Sequence, residues 1–186
     1  CSERGIAVAQ RCVEQLAAHT INIVSGNAAG IDSVAHHTAL FAGGTTIFVL
    51  AQGILPFYPR EAIRPLLQNE NHLILSEFPP RLHWATHAAM QRNRTICALS
   101  HAVLLVESGI GGGTFATGKN ALKLGIPLFA VDYESPPPSA EGNRYFLNRG
   151  ARPIREKHPD LSVLMDTFTH PLDSLQDSTP SLFCDE

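Results

Sequence analysis

No apolar run in the 186-residue sequence approaches the roughly 18 residues that a membrane-spanning helix needs. Nor does a basic start followed by an apolar centre mark a secretory leader. Cysteine is scarce: Cys1, Cys12, Cys97 and Cys184 lie far apart without CxxC spacing, which fits neither a disulfide framework nor a zinc cluster. Charge is sparse at 17% and carries no basic excess, 14 Lys and Arg standing against 17 Asp and Glu. A uniformly basic surface is therefore excluded, and any nucleic-acid binding has to come from a local patch. These absences predict a cytoplasmic protein without membrane contact. What remains is apolar: 44% hydrophobic side chains are enough to bury a core, which excludes wholesale disorder.

Short runs at 21–24, 46–50, 73–75, 102–106 and 127–131 are rich in Ile, Leu and Val with little polar alternation, as expected of parallel strands covered on both faces. Helical spacing fills the intervals. Ile31, Val34, Ala35, Thr38 and Leu40 follow the first run, and Ile96, Ala98 and Leu99 precede the fourth. Phe115, Ala116, Ala121, Leu122 and Leu124 follow that fourth run, and Gly125-Ile126-Pro127 stops their helix. Strands alternating with crossover helices predict an α/β fold with a doubly wound, mostly parallel, Rossmann-like sheet. Its opening is unusual, because an amphipathic helix at 3–18, carrying Ile6, Val8, Ala9, Val13, Leu16 and Ala17, has no strand before it. The sheet is thus expected to lack its first strand, the sequence being either a fragment or a shortened variant. Residues 1–155 are expected to form the domain, with a Pro-rich loop at 134–140 and a short helix at 142–147. Residues 156–186 read as a polar, Pro-broken tail whose weak cluster, Leu161, Val163, Leu164 and Met165, packs on the surface.

Three motifs bear on chemistry. Ser25-Gly26-Asn27-Ala28-Ala29-Gly30-Ile31-Asp32 bends from the first strand into its helix, where glycines let backbone approach an anion and a helix N-terminus supplies unpaired N–H groups. Its Gly-x-x-x-Gly spacing is not the dinucleotide fingerprint, and a tight turn alone also wants glycine. Asp32 has a structural explanation as a first-turn carboxylate. Ser108-Gly109-Ile110-Gly111-Gly112-Gly113-Thr114 closes the fourth strand with four glycines in five residues, more than a structural turn needs. A helix beginning near Thr114 would add Thr117 and Lys119, presenting backbone donors, hydroxyls and one cation to a phosphate, although no Walker A pattern is present. Gln91-Arg92-Asn93-Arg94, placed at the start of the next helix, offers two guanidinium forks suited to phosphate. Arginines sit poorly at a helix N-terminus without an anion or an acidic partner, and Glu77 is the candidate partner. Loops at the carboxyl ends of neighbouring parallel strands converge, so the residues alone describe an anion or nucleotide cleft.

Catalysis finds little support. There is no Gly-x-Ser-x-Gly elbow and no acid/base carboxylate pair. His36 and His37 point about 100° apart on a helix, and His83 with His87 has no third ligand, so packing or surface roles suit them better than a metal. Cys97 reads as a small core residue. No cofactor is expected.

Taken in order, Ser25 to Asp32 with Ala35-His36, Gly44 to Leu50, Tyr58-Pro59, Leu75-Ser76-Glu77-Phe78-Pro79-Pro80, Arg92-Asn93-Arg94 with Ala98-Leu99-Ser100, Val103 to Glu107, and Gly142-Asn143-Arg144 with Gly150-Ala151 resemble the Rossmann-like domain of the DNA-processing protein A (DprA/Smf) family. The resemblance implies a bacterial protein that binds single-stranded DNA in natural transformation, helps load a RecA-type recombinase, works as a homodimer and uses no metal or catalytic centre. It implies that Ser25, Gly26, Arg92 and Arg94 face the DNA phosphates. With the glycine loops and Lys119 added on geometric grounds, the expected binding set is Ser25, Gly26, Asn27, Gly30, Arg92, Asn93, Arg94, Gly111, Gly112, Gly113, Thr114 and Lys119.

Three departures accompany the resemblance. The strand and Gly-Ser/Thr-Arg turn that normally precede the first helix are absent. The segment His87-Ala88-Ala89-Met90-Gln91 lacks the aromatic residue usual before the arginines, and a stacking platform contributes about 1–3 kcal/mol per base. Finally, Gly111-Gly112-Gly113-Thr114 is similar to the Pro-Gly-Gly-x-Gly-Thr-x-x-Glu loop of the LOG, lysine-decarboxylase-like nucleoside-phosphate hydrolases, but Thr117 stands where that group carries its catalytic glutamate. A nucleotide-binding sensor or hydrolase domain is therefore the alternative function, and a structural domain with an empty cleft is the third.

Overall fold

The computed structural model describes residues 1–169 of the chain. Strands β1 (Ile23–Ser25), β2 (Thr46–Val49) and β3 (His72–Leu75) pair in parallel in that order, and β4 (Val103–Leu105), β5 (Leu128–Asp132) and β6 (Arg152–Arg155) form a second parallel set. Helices α1 (Glu3–Ala18), α2 (Ile31–Phe41), α3 (Thr86–Ala98), α4 (Gly112–Lys123), α5 (Asn143–Leu147) and α6 (Ser162–Thr169) connect and flank them. This is the doubly wound α/β architecture that alternating apolar runs and helices predict.

Both faces of the sheets are covered, which is why their strands are nearly continuous in apolar residues. On one side α1 and α6 bring Val8, Cys12, Val13, Leu161 and Leu164 against Ile23, Phe129, Val131 and Ile154. On another, Cys97 of α3, Ala121 of α4 and Phe146 of α5 pack on Val103, Leu105, Leu128 and Ala130. Burial raises the thiol of Cys12 to about 11 and that of Cys97 above its ordinary value, so both behave as small apolar residues. A third cluster, Leu40, Phe48, Leu50, Phe57 and Ile63, fixes the long β2–β3 connection.

Two expectations need correction. Strand β6 was not anticipated: only Ile154 of its four residues is buried, and an edge strand reading Arg-Pro-Ile-Arg has no apolar run to announce it. The segment expected as a surface tail is in part core, since Leu161 and Leu164 are nearly inaccessible and Met165 and Phe168 pack beside them. Helical spacing hides such a face inside a polar sequence. Residues 170–186 of that expected tail lie outside the described residues.

The two sheets meet at β1 and β4, which among the described residues pair on one side only. Every residue of both strands lines a cavity of about 990 Å³ that separates them. Glu107, just past β4, closes the end of this gap by accepting from the backbone N–H (2.8 Å) and hydroxyl of Ser2, the N-cap of α1, and from the hydroxyl of Ser139 (2.9 Å).

Candidate functional site

Residues of both glycine-bearing loops, where the chain leaves β1 and β4, line this cavity. In the first loop nearly every group is tied down from below. Asp32, in the first turn of α2, accepts from the Ser25 hydroxyl (3.0 Å) and the Ala28 N–H (3.1 Å), and Ser33 donates to the Ala28 carbonyl (2.7 Å). His36, fully buried one turn further on, stacks on Phe48 at 3.8 Å between ring centroids. Its ring donates from Nε2 to the Gly26 carbonyl (2.5 Å), and Nδ1 lies 2.7 Å from the Thr46 hydroxyl, which also reaches the Ile23 carbonyl (2.9 Å). Burial lowers its pKa to about 4, against the opposing pull of the Gly26 carbonyl and Asp32. Arg60, exposed on the β2–β3 connection, donates to the Asn27 carbonyl (3.3 Å).

The second loop is anchored at its start and open afterwards. Asn143, buried at the start of α5, accepts from the Ser108 N–H (2.8 Å) and donates to the Val106 (2.8 Å) and Val131 (2.9 Å) carbonyls, joining the tips of β4 and β5. Beyond it Gly109, Gly111 and Gly112 have nothing within 4 Å of where a Cβ would lie. Gly111 and Gly112 have φ of 99° and 77°, the left-handed region that favours glycine, and α4 begins at Gly112 instead of near Thr114. Thr117 turns its hydroxyl back to the Gly113 carbonyl (3.0 Å).

Helix α3 connects the two loops. Arg92 and Asn93 are both buried, at 7% exposure, and reach in different directions. Arg92 donates from Nη1 to the Val49 carbonyl (2.8 Å) and lies directly beneath Gly26, where an added Cβ would stand 1.7 Å from Nη1. Burial pulls its pKa below the ordinary value while the Asp32 carboxylate opposes the change. Asn93 donates to the Gly113 carbonyl (3.1 Å) of the other loop. Two buried polar atoms of the lining residues lack a hydrogen-bond partner, Arg92 Nε and Asn27 Oδ1, and the first is a cationic donor suited to an anion.

The expected binding residues thus divide. Ser25, Asn27, Arg92, Asn93, Gly113 and Thr114 line the cavity, and Gly26 and Gly30 belong to the backbone behind them. Arg94 does not share the cavity: two residues on from Arg92 is about 200° around a helix, and its side chain is exposed. Lys119 is exposed on α4, outside the lining, as are Gly111 and Gly112. Arg92 to Arg94 sit in the middle of α3, not at its start, because Thr86 to Gln91 already form its first turns. Glu77 does not pair with these arginines; it accepts from Thr95 (2.8 Å) and Gln91 (3.2 Å). The Ser25 hydroxyl proton is committed to Asp32. Residue reading missed the bracing by His36, Asn143 and Glu107, because a buried polar residue that ties distant segments has no signature in local spacing.

Residues 1–164 match the sequence profile of the family described as DNA recombination-mediator protein A. The chain belongs to that family. It is 35% identical over 153 residues to Protein Smf of Escherichia coli K12, covering 81% of this chain and 41% of that protein. The structure of DNA processing protein A from Streptococcus pneumoniae superposes with a TM-score of 0.74 at 29% identity, over 83% of this chain and 54% of that one. That from Helicobacter pylori, solved for its single-stranded DNA binding mode, superposes with a TM-score of 0.75 at 25% identity, over 91% of this chain and 75% of that one. The chain spans about half the length of the curated relatives it matches. The Rossmann-like character of the sheet is the family's, and the order of the motifs along the chain is the part of that fold the sequence carries.

Proposed function

We propose that this domain holds single-stranded DNA by its phosphates across the mouth of the cavity, as part of DNA processing in natural transformation. One observation carries the reading: of two adjacent buried residues of one helix, Arg92, bonded to the Val49 carbonyl, packs beneath Gly26 of one glycine loop, and Asn93 donates to Gly113 of the other, which puts a guanidinium and two loops of backbone donors around one helix. Backbone N–H groups at strand tips and helix starts recognise phosphate without reading bases. Gly111 and Gly112, with open space where a Cβ would lie, let a sugar-phosphate chain approach their backbone closely. Arg94, Arg60 and Lys119, all exposed, supply long-range attraction from outside the cleft. The family's description as a recombination mediator supports a RecA-type recombinase as the partner that receives the strand; a homodimer is the working form we propose.

Oligo-dT binding across a salt series tests this. Affinity falls linearly in log–log form with slope roughly −0.7 per phosphate contacted. Absence of binding at low salt contradicts the reading. The mononucleotide alternative rests on the start of α4, where Gly111 to Gly113 suit a single phosphate; Thr117, in place of a glutamate, leaves that loop without a carboxylate base. In that case mononucleotides raise the melting temperature and long oligonucleotides do not.

A further inference from the structure

We propose that Trp84 is the base-stacking platform of this cleft, an inference that rests on the single-stranded DNA reading. Trp84 is the one tryptophan of the chain and is 62% exposed. An exposed side chain of that size forgoes the stabilisation that burial gives, and large exposed apolar groups beside a polar cleft mark contact surfaces. Its place is informative because it lines the same cavity as Arg92, Asn93, Asn27 and Gly113.

The backbone that presents it is held on both sides. Leu82 accepts from the Gly53 N–H (2.8 Å), and Pro80 accepts from the Leu55 N–H (2.9 Å). Gly53 lies so close to this segment that an added Cβ would stand 2.2 Å from the Pro79 carbonyl oxygen. On the other side Ala85, the N-cap of α3, accepts from the Ala89 N–H (3.0 Å). The backbone that carries the indole is therefore held in place, and less of its freedom is lost when a base covers the ring. Met90, in the second turn of α3 and 44% exposed, lines the same cavity and extends the apolar rim. Phosphate donors at the strand tips and a flat aromatic face on the neighbouring segment are the two components of sequence-tolerant single-strand binding. The aromatic missing from the stretch directly before the arginines is thereby supplied from a position earlier in the chain.

A single tryptophan gives a direct readout. Titration of the intact chain with oligo-dT is expected to quench its fluorescence in step with binding followed independently by filter retention. Trp84→Ala is expected to weaken binding roughly tenfold to a hundredfold, and Trp84→Phe to restore most of it. The salt slope stays unchanged in both, because the indole contacts no phosphate. Binding without quenching, or equal affinity of Trp84→Ala and parent, overturns the stacking role and leaves the DNA reading standing. Failure of the parent to bind any oligonucleotide overturns both.

Discussion

The two glycine loops that flank the cleft look alike in composition and are held in opposite ways. The loop after β1 is braced from beneath by Asp32, Ser33, His36 and Arg92, and its Gly26 is a matter of space: the guanidinium occupies the volume a Cβ would need. In the loop after β4, Asn143 holds the first residue, and then Gly109, Gly111 and Gly112 meet nothing. One loop is a rigid wall around a buried charge. The other is an open surface whose glycines serve backbone conformation and access. Glycine content alone does not separate these roles; what the missing Cβ would touch does.

Substitution at the two loops breaks this contrast in a graded way. Gly26→Ala drives Arg92 from the Val49 carbonyl and leaves a buried charge without its partners, an expected loss of about 3–5 kcal/mol in urea unfolding. Acidification acts on the same loop through His36. Its pKa is lowered from 6.5 to about 4 in the folded chain, so its contribution to stability is complete above pH 6.5 and is lost as pH falls from there through 4. The loss is roughly 3 kcal/mol, visible as a falling urea midpoint across that window and much reduced in His36→Gln. Gly111→Ala meets only backbone strain at φ 99° and is expected to cost about 1–2 kcal/mol, with a clear weakening of oligo-dT binding. Gly109→Ala has open space and lies outside the left-handed region, so its stability is expected within about 0.5 kcal/mol of the parent. Reversal of the Gly26 and Gly109 outcomes would mean that the loops have been assigned the wrong way round.

Much of the fold was legible because local pattern determines it. Residues 3–18 read as a helix and fold as one over the same span, and five strands follow five apolar runs. The pattern fails at β6, where one buried Ile stands among polar neighbours, and around α6, where Leu161 and Leu164 belong to a short apolar cluster that nothing local assigns to the core. The candidate site was legible in its glycines and less so in its arginines. Arg92 and Arg94 are equivalent in the sequence, and helical phase alone makes one a buried brace and the other a surface cation. Trp84 was invisible as a site residue because its place on the cavity depends on the path of the chain between Pro79 and α3.

Backbone amide shifts followed by NMR during an oligo-dT titration test the two-loop receptor most directly. Amides of Asn27 to Gly30 and of Gly109 to Gly113 are expected to move together and saturate at one common affinity. Shifts restricted to one loop, or confined to residues around Arg94 and Lys119 with both loops silent, would contradict a shared phosphate site.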